Sequence, residues 1–267
     1  MKNKFLLFAL VLCCVYVASC ESQKTATTEN PSDREFYLLK TYTLNSEEQI
    51  ATTDNYLKKA LVPALKRLGS KAVGVFKDRP SETDTLRHVY VLIPFNALGD
   101  IDSFEDQLRK DKAYLQAGSA FLDAPHDQPP FARTNTVVLK AFEDMPQMQL
   151  PDLQGPRENR VYELRSYESP TESLYWNKLD MFNAGGEILL FDSLNFNAIF
   201  YGDVLAGPKM PNLMYMTSFE NMETRDAYWK LFVDSPQWQK MSNLEKYQNN
   251  VNYADIYLLY PTEYSDY

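Results

Sequence analysis

The chain has 267 residues, 45% hydrophobic and 24% charged, with only 9 glycines; this excludes a disordered or fibrous protein and leaves room for one large domain or two modest ones. Lys and Arg number 27 against 36 Asp and Glu, a formal net charge of -9, so there is no electrostatic footprint for nucleic acid or an anionic lipid surface. Three cysteines are too few for a disulfide framework and two histidines too few for most catalytic metal sites, and no cofactor or metal is called for.

Residues 1–19 read as a secretory signal peptide: Lys2 and Lys4 precede an apolar run from Phe5 to Val17 that is too short for a resident transmembrane helix. The segment ends Val17-Ala18-Ser19-Cys20, which resembles a bacterial lipobox with Cys20 as the lipidated residue. Cys13 and Cys14 would leave with the leader, and residues 20–34 form a polar tether with no apolar residue large enough to bury. The expected location is the bacterial cell envelope, outside the cytoplasm, periplasmic or surface, with the membrane reached through the anchor at Cys20.

The body, in chain order, repeats itself. Phe36 to Thr43 alternates as a strand, and Ser46-Glu47-Glu48-Gln49 is a capping box for a helix whose apolar residues run from Ile50 to Leu68, with Gly69 as the stop and Pro63 as an expected kink. Strands at Ala72 to Lys77 and Leu86 to Pro94, a helix from Ile101 to Leu115 and a strand from Thr136 to Phe142 complete a first copy, residues 35–145. A proline-rich linker, residues 146–159, follows.

The second copy, residues 160–267, has a strand from Arg160 to Glu168 and a capping box Ser169-Pro170-Thr171-Glu172 that opens a helix to Leu190. Strands at Phe196 to Gly202 and Leu213 to Phe219, a helix from Met222 to Phe232 and a closing strand from Ala254 to Tyr260 complete it. A constant offset of 125 pairs Tyr37 with Tyr162, Leu39 with Leu164, Tyr42 with Tyr167, Phe76 with Tyr201 and Tyr90 with Tyr215, the expected mark of a tandem duplication. The class is α+β. Two ferredoxin-like βαββαβ repeats each leave one sheet face bare, and covering those faces mutually gives an intramolecular dimeric α+β barrel.

Tyr162-Glu163-Leu164-Arg165-Ser166-Tyr167, the paired Gly185-Gly186, Phe200-Tyr201-Gly202-Asp203, Met210 to Met216, and Arg225-Asp226-Ala227-Tyr228-Trp229 through Trp238 resemble the NIPSNAP domain across most of the second copy. Pro63 to Gly69 followed by Val73-Gly74-Val75-Phe76 is similar to the same family's helix-to-strand passage. The resemblance implies a dimeric α+β barrel and no settled activity. Relatives of this barrel include haem proteins with a histidine ligand; here His88 has Leu213 as its counterpart and no companion ligand, so a hydrogen-bonded histidine is expected, and His126 falls in a proline-rich loop.

Motifs for phosphate loops, zinc helices and serine elbows are absent from the sequence. The second copy carries 21 of the 36 aromatics and all three tryptophans. Those rings either fill the barrel and helix interfaces or line a pocket for a small apolar or sugar-like ligand. For a pocket, the candidate residues are Tyr162, Arg165, Tyr167, Asn197, Tyr201, Tyr215 and Trp229, with Asn197, Ile199 and Tyr201 expected on one strand face. Two functions follow: a non-catalytic binding or assembly module that meets a small ligand or another envelope protein, and, as the alternative, an enzyme of cofactor-independent oxygenase or isomerase type working inside the barrel.

Overall fold

The computed structural model describes residues 34–80 and 87–267, so the leader, Cys20 and the tether up to residue 33 lie outside the described residues. The first half runs β1 (Phe36–Leu44), α1 (Glu47–Tyr56), α2 (Val62–Arg67), β2 (Gly74–Asp78), β3 (Arg87–Phe95), α3 (Leu98–Leu108), α4 (Lys112–Leu122) and β4 (Arg133–Ala141). The second runs β5 (Val161–Glu168), α5 (Glu172–Phe182), α6 (Glu187–Ser193), β6 (Ala198–Ala206), β7 (Asn212–Phe219), α7 (Met222–Asp234), α8 (Pro236–Ser242) and β8 (Tyr253–Pro261).

Within each half the strands order identically, β4-β1-β3-β2 and β8-β5-β7-β6, every pair antiparallel. The halves join edge to edge, β2 on β8 and β6 on β4, so that neither sheet keeps a free edge and eight strands close into a barrel. This is the α+β barrel of two ferredoxin-like halves. Strand alternation sorts the core into three bodies. Leu38, Tyr42, Val89 and Val91 face outward onto α1, α2 and α4. Leu213, Tyr215 and Phe219 face outward onto the rings of Phe182, Phe191 and Phe232. Tyr37, Leu39, Phe76, Leu92, Tyr162, Leu164 and Met216 face the lumen and pack with no helical residue.

The constant offset of 125 does not survive in three dimensions. Tyr37 pairs with Pro94 and Tyr162 with Ser218, so the third strands correspond at 124. Tyr90 therefore points into the lumen while Tyr215 points at the helices. The same split separates Phe76 from Tyr201, because β6 carries a bulge between Ala198 and Phe200. One residue of slip turns a strand over. That bulge also places Ile199 in the lumen and Tyr201 in the helical layer, so these two do not share a face as expected.

Several helices differ from the periodic reading for local reasons. Between α1 and α2 the chain makes a π turn, Leu57–Leu61, just before Pro63; the widened turn accommodates a residue with no N–H to donate. The expected single helix from Ile101 splits at Asp111, whose carboxylate caps α4 by accepting the Tyr114 amide at 3.0 Å. The expected helix to Leu190 breaks at Gly185-Gly186, where Gly186 has φ +90 and a Cβ on Gly185 would meet Met181 backbone at 2.6 Å. Thr171, not Ser169, caps α5; the Ser169 hydroxyl instead donates to the Asn250 carbonyl at 2.6 Å. In the first capping box Gln49 reaches the Asn45 amide at 2.8 Å rather than that of Ser46.

One end of the lumen is closed. The segment between β4 and β5 crosses it, with Leu153 buried against the lumen rings and Gln154 and Gly155 amides held by Glu220 at 2.7 and 2.6 Å. The tail after β8 folds back and packs Tyr267, 2% exposed, against the touching rings of Phe76 and Tyr162. Ser265 and Asp266 side chains accept the Val75 and Val73 amides at 3.0 and 2.6 Å and hold that tail on β2.

Candidate functional site

At its other end the lumen is not filled. A cavity of about 230 Å3 opens there, walled by Leu39, Val137, Leu164, Val204 and Met214 and edged by Thr41, Thr43, His88, Tyr90, Asn135, Ser166, Asn212 and Tyr257, with the β6–β7 turn, Gly207 to Lys209, along one side. Lumen-facing side chains in a closed barrel alternate with outward ones, so the wall draws on strands of both halves. The rings that fill the closed end give way here to short side chains, Thr41 and Thr43 on β1 and Ser166 on β5, which is why space remains.

The charged groups at the mouth are each held by a neighbour and carry more acid than base. Asp78 Oδ2 accepts the His88 amide at 2.8 Å and lies 2.9 Å from His88 Nδ1, while the Tyr90 hydroxyl donates to Asp78 Oδ1 at 3.1 Å. Lys209 donates to Asp255 and stands 3.7 Å from Glu168; its hydrogen bond to Asp255 pushes the ammonium above the usual lysine range. His88 is thus the hydrogen-bonded histidine expected from the sequence, and His126 is an exposed loop residue.

Of the seven residues expected to line a pocket, none lines this cavity. Tyr162 lies in the lumen, but at its plugged end. Arg165, Tyr167, Tyr215 and Trp229 do meet, on the outer face of β5 and β7 beneath α7. Their meeting point is an ion-pair network. Glu163, fully buried, accepts from Arg165 Nε at 2.6 Å, from Arg225 Nε at 2.6 Å and from the Trp229 indole at 2.9 Å. The Arg165 guanidinium carbon sits over the Trp229 ring, 3.6 Å from its centre, and Arg165 donates to the Tyr167 hydroxyl at 2.7 Å, which pairs with Tyr215 at 2.9 Å.

Burial opposes ionisation of Glu163, but the Arg225 hydrogen bond, the Arg165 and Arg225 charges and the indole outweigh it and hold the carboxyl below the ordinary range. Both oxygens of Glu163 and the Nε–H of both arginines are bound within this set, so the geometry suits holding α7 on the sheet rather than seizing a ligand. Tyr201 stacks at 5.6 Å on Tyr215 and, with Asn197, borders a separate surface groove beside α6. Asn197 has φ +44 and its carbonyl accepts the Ser218 hydroxyl at 2.8 Å, a turn-forming role.

Residues 162–266 match the sequence model of the NIPSNAP family. No curated protein matches the chain. Among solved structures, a candidate monooxygenase from Lactobacillus acidophilus NCFM superposes with a TM-score of 0.53 at 12% identity, over 85% of this chain and 94% of that one. An anthrone oxidase-like protein gives 0.51 at 8% identity, over 86% and 92%. A NIPSNAP-like domain protein from Burkholderia xenovorans is 18% identical over 41% of this chain and 90% of that one, with a TM-score of 0.37. At such identities the first two likenesses establish the shared barrel fold alone.

Proposed function

We propose that this chain is a NIPSNAP-like binding module of two tandem repeats, carried outside the cytoplasm on a lipid anchor at Cys20, which takes a small molecule into the open end of its barrel. The single observation behind it is the asymmetry of the lumen: one end is plugged by Tyr162 and Tyr267, and the other keeps a walled cavity of about 230 Å3. A core that only had to close the barrel would be filled throughout, since interiors pack to crystal-like density. The anchor rests on the leader and on the Val17-Ala18-Ser19-Cys20 string.

The test is a thermal-shift screen of small apolar and hydroxylated compounds on the full chain, because a ligand of the native state alone raises apparent stability. Compounds that raise the midpoint for the wild type but not for Leu164→Trp, which fills the cavity, support the reading; indifference to every compound contradicts it. Intact mass of membrane-extracted protein checks the anchor, with an unmodified Cys20 as the refuting result.

The enzyme alternative has one observation in its favour, the Asp78 to His88 contact at the rim of the same cavity, a pairing able to orient an imidazole for proton transfer. It predicts turnover of a bound compound that Asp78→Asn slows while leaving its binding intact.

A further inference from the structure

Inside the open cavity one amide is left incomplete. Asn212, 1% exposed at the start of β7, donates its Nδ2 to Ser166 Oγ at 2.8 Å, and its Oδ1 has no partner among the described residues. Ser166 is 3% exposed, and both side chains line the cavity. The unpaired group is an acceptor, which a donor from outside the protein would complete. A buried carboxamide oxygen in the cavity wall is thus left unsatisfied, which buried polar groups rarely tolerate.

We infer that Ser166 and Asn212 form the recognition pair of this cavity, and that its ligand is a neutral, mainly apolar molecule of one or two rings bearing a single hydroxyl or amide group. This rests on the binding role proposed above. A group that both donates and accepts completes the pair, giving to Asn212 Oδ1 and accepting from the Ser166 hydroxyl. Neutrality follows from two features: the mouth holds three carboxylates, Asp78, Glu168 and Asp255, against the one Lys209 ammonium already bonded to Asp255, which disfavours an anion, and the apolar wall beyond disfavours burying a charge of either sign. The apolar body follows from Leu39, Val137, Leu164 and Met214. Size follows from volume: an engineered apolar cavity of about 150 Å3 in another protein admits benzene, and this one is about 230 Å3.

The experiment is a fluorescence titration of the full chain with three probes, 2-naphthol, naphthalene and 2-naphthoate. The expected result is binding of 2-naphthol at least about fivefold tighter than naphthalene, the effect of one buried group gaining its partner, and tighter than the 2-naphthoate anion by at least as much. Asn212→Leu should abolish the preference for 2-naphthol over naphthalene while naphthalene still binds, and Ser166→Ala should reduce it. The Tyr175 hydroxyl bonds the Asn212 carbonyl of the main chain, a contact that the Asn212 variant keeps. Equal wild-type affinities for 2-naphthol and naphthalene, a preference for the anion, or a preference unchanged in the variants would overturn the recognition pair while leaving the cavity a binding site. Failure of all three probes to bind overturns the binding role and this inference together. Should Asn212→Leu fold poorly, the wild-type ranking and Ser166→Ala decide the matter.

Discussion

Glu163→Gln is expected to lower the unfolding free energy by about 3–5 kcal/mol, the cost of removing one member of a buried ion pair and stranding the other. The Glu163 side chain is 0% exposed and Arg165 12%, so water cannot screen the loss. Urea unfolding of Glu163→Gln, Arg165→Met and the double variant checks the reason as well as the size. If the cost is an uncompensated charge, the double variant loses much less than the two singles added together. Additive losses would mean that the residues pack independently.

The same pair gives stability a direction with pH. The folded carboxyl of Glu163 is held below its ordinary value of 4.5, so its contribution is fully present above that pH and is lost as pH falls through the folded value. Wild-type protein should therefore lose stability on acidification below about pH 4.5 more steeply than Glu163→Gln does.

Tyr267→Ala is the second large effect, about 3–5 kcal/mol for truncating a fully packed ring. Its ring centre lies 5.7 Å from that of Phe76 and 6.5 Å from that of Tyr162, and no other side chain occupies its place in the plug. Tyr267→Phe is the control. The Tyr267 hydroxyl is buried with no partner among the described residues, so its removal should cost under about 1 kcal/mol or be neutral. Denaturant midpoints separate the two variants. Amide exchange at Val73 and Val75, which bond the tail, should quicken in Tyr267→Ala.

Element order was readable from residue patterns because alternation and helical spacing are local properties, and the pairing of two βαββαβ halves follows from the bare sheet face each would leave. Register was not. The offset of 125 holds on β1 and β5, where Tyr37 and Tyr162 both enter the lumen, and fails where the β6 bulge and the loops add or remove a residue. A string match scores Tyr90 against Tyr215 as alike although one faces the cavity and the other the helices.

The candidate site suffered from the same blindness. Aromatics and an arginine drew attention to Arg165, Tyr167, Tyr215 and Trp229, but their partner Glu163 sits in the same strand and neutralises them, a contact that spacing on β5 allows but does not reveal. The cavity is instead marked by small polar residues. Ser166 alternates with Leu164 on the inner face, which is a usable signal once the inner face is known. Asn212 follows Pro211 at a strand start and looks in sequence like a turn residue. Its unpaired amide oxygen exists only in three dimensions.

On the proposed reading, this protein meets a small molecule at the open end of the lumen. Methyl NMR of the full chain during addition of 2-naphthol tests it most directly. The methyls of Leu39, Val137, Leu164, Val204 and Met214 should shift together, while those of Leu61, Leu65 and Ile188 in the helical layers stay in place. Shifts confined to the helical layers or to the groove beside α6, with the lumen methyls unmoved, would contradict it.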